Sequence, residues 1–277
     1  IKDDIEFIEG DIRDLDVLIK ASKGVEKFFH LAALNGTSNF YERPDQVIEI
    51  GTKGIINAID AAKKNNISEF YLASTSEVYN IPPEIPTNEN VRLIIPDVFN
   101  PRYSYAGSKI ISELYLLHFG SKYFERSIIF RPHNVYGPNM GYEHVIPELI
   151  KKIYDLDKKI NDSDKLLIQG SGNETRAFIF INDFIDAMEL IIRKGLNLNI
   201  YNIGNSKEIK IIELAKSLID ISNNNYDLAI SELKQGSTSR RCPNIDKISK
   251  LGYAQKVSLL EGLKLTYKWY YDNYQST

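Results

Sequence analysis

Apolar residues along this chain fall into short continuous runs that alternate with longer stretches of helical spacing. Such alternation predicts strands joined by crossover helices and hence a parallel sheet. The runs Ile5–Ile8, Lys27–Leu31, Glu69–Ala73 and Ser127–Phe130 read as strands. Between them, Asp14–Ala21 reads as a short helix, and Pro44–Lys64 as a long one with Val47, Ile50, Ile55, Ile59 and Ala62 on one side. Pro44 suits a first helical turn. Tyr103–Gly120 is a further helix, with Gly120 suited to its C-terminus. The stretch Ile81–Pro101 holds five prolines and reads as an irregular loop.

After this the strand pattern weakens. Glu143–Tyr154, Asp183–Arg193, Ile211–Ser222 and Leu259–Tyr270 read as helices, and Leu166–Gln169, Phe178–Ile181 and Ile200–Ile203 as short strands. Asp155–Asp164 is a polar loop and Asn223-Asn224-Asn225 a turn. There are no repeats and no coiled-coil heptads. The expected class is α/β, a Rossmann-like doubly wound parallel sheet with a smaller C-terminal substrate lobe. The expected division is residues 1–138 for a cofactor core and 139–277 for a substrate lobe interleaved with it.

The composition excludes several functions. The 277 residues are 43% hydrophobic and 26% charged, ordinary globular usage, with a net charge of −3. No long basic run suggests nucleic-acid binding. No apolar stretch approaches the roughly 20 residues of a membrane span, and no signal peptide is visible. The single cysteine, Cys242, excludes an internal disulfide and a cysteine-cluster metal site; a reducing cytoplasm fits. His30, His118, His133 and His144 form no ligand motif, so no metal is expected.

The strongest chemical signal is Tyr105-Ala106-Gly107-Ser108-Lys109, about thirty residues after Ser74-Thr75-Ser76-Glu77-Val78-Tyr79. Positions i and i+4 share a helix face, so the phenol and the ammonium can enter one site. A nearby ammonium favours the phenolate and is expected to lower the tyrosine pKa. Such a tyrosine can take a proton from a sugar hydroxyl while a hydride leaves the same carbon. The alternative is an ordinary surface helix.

These segments, in this order, resemble the extended short-chain dehydrogenase/reductases, in particular the nucleotide-sugar epimerases, dehydratases and decarboxylases. Further matches are Gly10-Asp11-Ile12, His30-Leu31-Ala32-Ala33, Arg131-Pro132-His133-Asn134-Val135-Tyr136-Gly137-Pro138, Gly170 to Arg176, and Arg241-Cys242-Pro243 followed by Lys247. The resemblance implies NAD as cofactor, with NADP left open, and a nucleotide-diphosphate sugar as substrate. It also implies a homodimer. Asp11 and Ile12 would meet the adenine, and Leu31, Ala32 and Ala33 would let the backbone approach the ribose and pyrophosphate. Pro132 and His133 would lie at the nicotinamide amide, whereas His30 reads as a core residue. Asn35 to Tyr41 would line the site mouth. Thr75 and Ser76 would position the sugar C4 hydroxyl, Tyr105 would act as base, and Lys109 would also bind the nicotinamide ribose. Asn134 would meet the substrate diphosphate, and Arg176 and Arg241 would grip it as fork donors. Asp183 reads as a helix N-cap.

Three departures matter. Gly51 stands where the family has Asn in its Asn-x-x-Gly-Thr segment. Ser76 stands where 4,6-dehydratases carry an acid before Glu77. The expectation is therefore 4-epimerisation through a transient 4-keto sugar, with decarboxylation (from Glu77 and Arg241) or 4,6-dehydration as alternatives. Third, the family opens with a strand, a glycine-rich GxxGxxG turn and a helix, whereas this chain opens at Ile1. A fragment, or about 40–60 absent residues, is expected from the size of such a unit. An inactive fragment or non-catalytic sugar-nucleotide binder therefore stays open.

Overall fold

A computed structural model of the protein describes residues 4–159, 165–232 and 238–274. In chain order the elements are α1 (Leu15–Ala21), β1 (Lys27–His30), α2 (Thr37–Glu42), α3 (Pro44–Lys64), β2 (Glu69–Ala73), α4 (Tyr103–His118), β3 (Arg126–Pro132), β4 (Val135–Tyr136), α5 (Val145–Asp157) and β5 (Lys165–Gln169). They continue with β6 (Thr175–Ala177), β7 (Ile179–Phe180), α6 (Ile181–Lys194), β8 (Asn199–Ile203), β9 (Glu208–Lys210), α7 (Ile211–Ser222), β10 (Asp227–Ser231), β11 (Arg240–Arg241), α8 (Asp246–Ser249) and α9 (Leu259–Asn273). The chain packs as two units. One comprises Ile1–Asn80, Leu93–Arg131 and Gly195–Ile200; the other comprises Ile81–Arg92, Pro132–Lys194 and Tyr201–Thr277.

The first unit is built on a sheet in the order β1-β2-β3-β8. β1 and β2 pair in parallel with Lys27 opposite Glu69, and β2 and β3 pair in parallel with Glu69 opposite Arg126. β2 and β3 are apolar because the sheet is covered, as parallel sheets are. α3 begins with Pro44 and buries Val47, Ile55, Ala58, Ile59 and Ala62. Its Ile55 and Ile59 join Phe70, Leu72, Leu116, Phe124 and Ile129 in one core. The buried face of α4 differs in kind. It carries Tyr105, Ser108, Lys109, Ser112 and Glu113, where a helix that only packed would carry apolar residues.

In the second unit β5 pairs in parallel with β10, and β4 with β7. β6 lies between β11, parallel, and β9, antiparallel. α5, α7 and α9 close the core with Ile150, Ile153, Leu214, Leu218, Leu263 and Tyr270.

The Rossmann-like α/β class is as expected. Several local readings are not. Ile5–Ile8 is not a strand: no described strand pairs with it, and Phe7 is 85% exposed. An apolar run becomes a strand only when a neighbour takes its backbone hydrogen bonds. α2 overlaps the segment Asn35 to Tyr41, read only as a site mouth. α6 starts at Ile181, two residues earlier than expected, so Asp183 is not its N-cap. Instead Asp183 is buried and accepts from Lys256 N at 3.0 Å and Val257 N at 3.1 Å.

Candidate active site

β1 and β2 run parallel, so Leu31–Ala33 and Ser74–Glu77 both follow carboxyl ends of strands in the first unit. That edge is where open α/β sheets bind ligands. Beyond β2 the chain turns through a short 3₁₀ helix, Ser76–Tyr79, capped by Thr75. Thr75 Oγ1 accepts from Glu77 N at 3.1 Å, and its hydroxyl acts on the Tyr105 phenol to lower its pKa. Ser76 is buried in the turn. Glu77 forms an ion pair of 3.5 Å with Arg102, which stands at the N-terminus of α4.

Tyr105 is 7% exposed and stacks on Phe40 of α2, with ring centroids 4.9 Å apart. Burial pushes its pKa up to about 12; the Glu77 carboxylate adds to this and the Thr75 hydroxyl opposes it. The expected lowering by Lys109 does not occur in this state. Lys109 Nζ lies 6.0 Å from the ring centroid and donates to Ala73 O at 2.8 Å. Burial outweighs an ammonium at that distance. Lys109 is itself buried, which pulls its pKa down to about 8 against the pull of Glu113. His30 is buried beside it. Burial first, and the Lys109 charge second, lower its pKa to about 3, so it is neutral. His30 is a core residue, as its sequence context suggested.

Asp11 lies on the surface, and its carboxylate binds Arg13 Nε at 3.0 Å and Arg13 N at 2.8 Å. Those bonds to Arg13 lower its pKa to about 2. Asp14, not Asp11, caps α1. Ile12 packs over Gly54, where an added Cβ would come within 2.4 Å of Ile12 Cδ1. Leu31 and Ala32 are exposed and Ala33 half-buried. Gly51, the departure from Asn, has a packing cause. A Cβ there would lie 2.5 Å from Ser108 Oγ and 2.7 Å from Ser108 Cβ. The glycine lets α4, which carries Tyr105 and Lys109, lie close against α3. Its carbonyl meets Ser112 Oγ at 3.4 Å.

In the second unit, His133 is fully buried: its N–H donates to Ile203 O at 2.9 Å and its ring meets Asn202 Oδ1 at 3.2 Å. Its main-chain donor is thus committed within the protein. Pro132, which ends β3, is half-buried. Asn134 has φ of 43°, a left-handed conformation that Asn tolerates, and its amide donates to Ala177 O at 3.0 Å. Arg176 and Arg241 are direct neighbours in the β6–β11 pair. Both reach Thr238: Arg176 Nη2 donates to its carbonyl at 2.7 Å and Arg241 Nη2 to its hydroxyl at 3.1 Å. Two guanidinium groups brought to one residue form a positive pair suited to an anion. Arg240 is turned to Glu208 instead, at 2.6 Å.

Sequence reasoning thus located Thr75, Ser76, Glu77, Tyr105 and Lys109 in one cluster, and Arg176 and Arg241 in another. It missed Arg102 and Glu113, and the contacts of Phe40 and Arg131, which it named only within the segments Asn35 to Tyr41 and Arg131 to Pro138. Glu113 was open to discovery as the next i+4 position after Lys109. The Phe40 contact was not, because it reaches Tyr105 across 65 residues of sequence. No group of His, Cys, Asp or Glu able to hold a metal occurs among the described residues. No helix there is long and apolar enough to cross a membrane.

Residues 1–204 match the NAD dependent epimerase/dehydratase family, and the chain belongs to it. A dTDP-D-glucose 4,6-dehydratase of Homo sapiens is 29% identical, with 99% of this chain and 77% of that protein aligned. Epimerase Mth375 of Methanothermobacter thermautotrophicus superposes with a TM-score of 0.85 at 27% identity, covering 97% of this chain and 79% of that one. A double mutant of DesIV, a dTDP-glucose 4,6-dehydratase of Streptomyces venezuelae solved with NAD and DAU bound, gives a TM-score of 0.86 at 26% identity over 97% and 80% of the two chains. The family is one of nucleotide-sugar epimerases and dehydratases, and the extended short-chain dehydrogenase/reductase resemblance holds.

Proposed function

We propose that this protein uses NAD to oxidise a nucleotide-diphosphate sugar at C4 and returns the hydride to the opposite face, a 4-epimerisation. The observation that carries the reading is the buried Tyr105 phenol, acted on by the Thr75 hydroxyl at the carboxyl edge of the sheet, with Ser76 rather than an acid before Glu77.

The residues of the first unit fit the cofactor by their donor set. Asp11, held ionised by Arg13, is an acceptor for the adenine amino group, and Ile12 covers the ring face. Leu31, Ala32 and Ala33 keep the strand end low in bulk. Lys109 has ammonium protons beyond its bond to Ala73 for ribose hydroxyls. Pro132 and His133, which belong to the second unit, keep the nicotinamide-amide role that the family resemblance implies. Bound NAD supplies the hydride acceptor, and the positive charge of its oxidised ring favours the phenolate. Tyr105 then takes the C4 hydroxyl proton while Thr75 and Ser76 hold that hydroxyl. Tyr105 returns the proton when the rotated 4-keto sugar is reduced. Arg176 and Arg241, with Asn134, bind the diphosphate. A homodimer belongs to the same proposal and is checked by sedimentation.

A second reading, 4,6-dehydration or decarboxylation, draws on Glu77, whose carboxylate acts electrostatically on Tyr105, and on the dehydratase relatives. The chain is incubated with NAD and UDP- or dTDP-hexoses in deuterium oxide and the sugar is followed by NMR. Epimerisation inverts C4 and leaves its hydrogen unexchanged. Dehydration gives a 4-keto-6-deoxy sugar with solvent deuterium at C5. Release of carbon dioxide from a uronic acid substrate marks the decarboxylase. Tyr105→Phe should lower turnover by about 10²–10⁴, the usual worth of a positioned base. Near-wild-type turnover would remove Tyr105 from the chemistry.

A further inference from the structure

The polar face of α4 grips the end of β2 and the residue after it at two successive turns. Lys109 Nζ binds Ala73 O at 2.8 Å and Glu113 Oε1 accepts from Ser74 Oγ; one turn N-terminal to Lys109, Tyr105 comes under the influence of the Thr75 hydroxyl. Helix positions 109 and 113, four apart, thus fix residues 73 and 74. Glu113 is 3% exposed and is held in turn by Arg131 of β3, with Nε to Oε1 at 2.8 Å and Nη2 to Oε2 at 2.6 Å. Arg131 Nη1 also donates to Tyr79 Oη at 2.8 Å, at the far end of the 3₁₀ turn. The segment bearing Thr75, Ser76 and Glu77 is therefore pinned at Ser74 by Glu113 and at Tyr79 by Arg131.

We propose that Glu113, with Arg131, is a positioning residue of this site: it sets the register between α4 and the Ser74–Tyr79 segment and supplies the counter-charge of Lys109. The inference rests on the reading of Tyr105 and Lys109 as the reacting pair. Burying a fully bonded ion pair is a poor source of stability, because desolvation offsets the attraction. Its place here is explained by what it holds. Lys109 is faced by Tyr105 and Glu113 from α4 and by His30 from β1, with the Arg131 cation behind Glu113. Among these, Glu113 is the carboxylate that favours the ammonium; burial works against it. Without Glu113, Lys109 would keep burial and lose that attraction.

The test uses the full chain labelled with ¹³Cε-lysine, with the Lys109 signal assigned by Lys109→Arg. Glu113→Gln leaves Arg131 without its carboxylate and risks the fold, so Glu113→Gln/Arg131→Met, which removes both charges, is measured beside it. The Lys109 titration midpoint should fall by about one pH unit in either variant, and stay in place in Glu113→Asp. The alkaline limb of turnover should move with it, while the KM for the nucleotide sugar stays within about twofold, as expected for a group that orients reacting atoms. An unchanged midpoint in the double variant would overturn the proposal. So would unfolding of both variants, which would make the pair a stability element. The titration is read without substrate, so loss of the Tyr105 reading leaves this result standing on its own.

Discussion

Adding a single methylene-sized group at Gly51 probes how closely the reacting helix must pack. Alanine in a helix interior is favoured over glycine by about 1 kcal/mol. Against this, the new Cβ would sit 2.5 Å from Ser108 Oγ and 2.7 Å from Ser108 Cβ. The hydroxyl can rotate away, but the Cβ is fixed to α4, so the helices must separate by several tenths of an ångström. Overpacking of this kind costs about 1–3 kcal/mol. Gly51→Ala should therefore destabilise by about 1 kcal/mol net, and more for Gly51→Asn, the residue the family carries here. Urea unfolding followed by circular dichroism reads this as a lower midpoint at unchanged slope. Ser108→Gly removes the collision, and with it a hydrogen bond to Tyr105 O of 2.9 Å. The double variant should consequently be more stable than the two single effects sum to, by about 1–2 kcal/mol. Turnover of Gly51→Ala should drop about tenfold or more, since α4 carries Tyr105 and small displacements of reacting groups are costly. A Gly51→Ala protein stabilised by the full helix-propensity gain, with no coupling to Ser108, would refute the close-packing explanation.

Three further outcomes are expected. Arg241→Ala should weaken binding of UDP or dTDP by about 1.5–3 kcal/mol, the range for a charge-assisted bond; unchanged calorimetric affinity would reject the anion role. Stability should fall on acidification below about pH 6.5, the ordinary histidine value, because folded His30 is held down to about 3 and the unfolded chain takes up the proton first. The slope from this group is about 1.4 kcal/mol per pH unit between those values and is absent above them; His30→Gln should flatten it, and an unaltered pH profile would contradict its burial as a neutral ring. Asp183→Ala should destabilise by about 3 kcal/mol, because two backbone N–H groups lose their acceptor, while Asp183→Asn, which keeps an acceptor, should recover part of that; equal losses in the two would show that the bonds to Lys256 and Val257 are not the cause.

The chain's own pattern determined the elements whose signal is local. Pro44 at a first turn, the helical spacing of Val47, Ile55 and Ile59, and the apolar runs at Glu69–Ala73 and Ser127–Phe130 each carry their period within a few residues. The same is true of Tyr105 and Lys109, whose shared face follows from helix geometry alone. Ile5–Ile8 has the right composition but no described partner, and strand formation depends on the partner. Protonation also escaped the sequence. The i+4 spacing placed an ammonium near Tyr105, but its distance and the depth of burial decided that the phenol pKa rises. Asp183 reads locally as a cap and serves instead two residues more than seventy positions later. Arg131 heads a matched motif and Glu113 follows Lys109 by one turn, but neither signal pairs them: eighteen residues apart, they become an ion pair only because α4 lies against the strand end between β2 and the short turn. Whatever depends on contacts distant along the chain, or on how much water a group retains, was settled by the tertiary structure, because neither quantity has a local periodicity to reveal it.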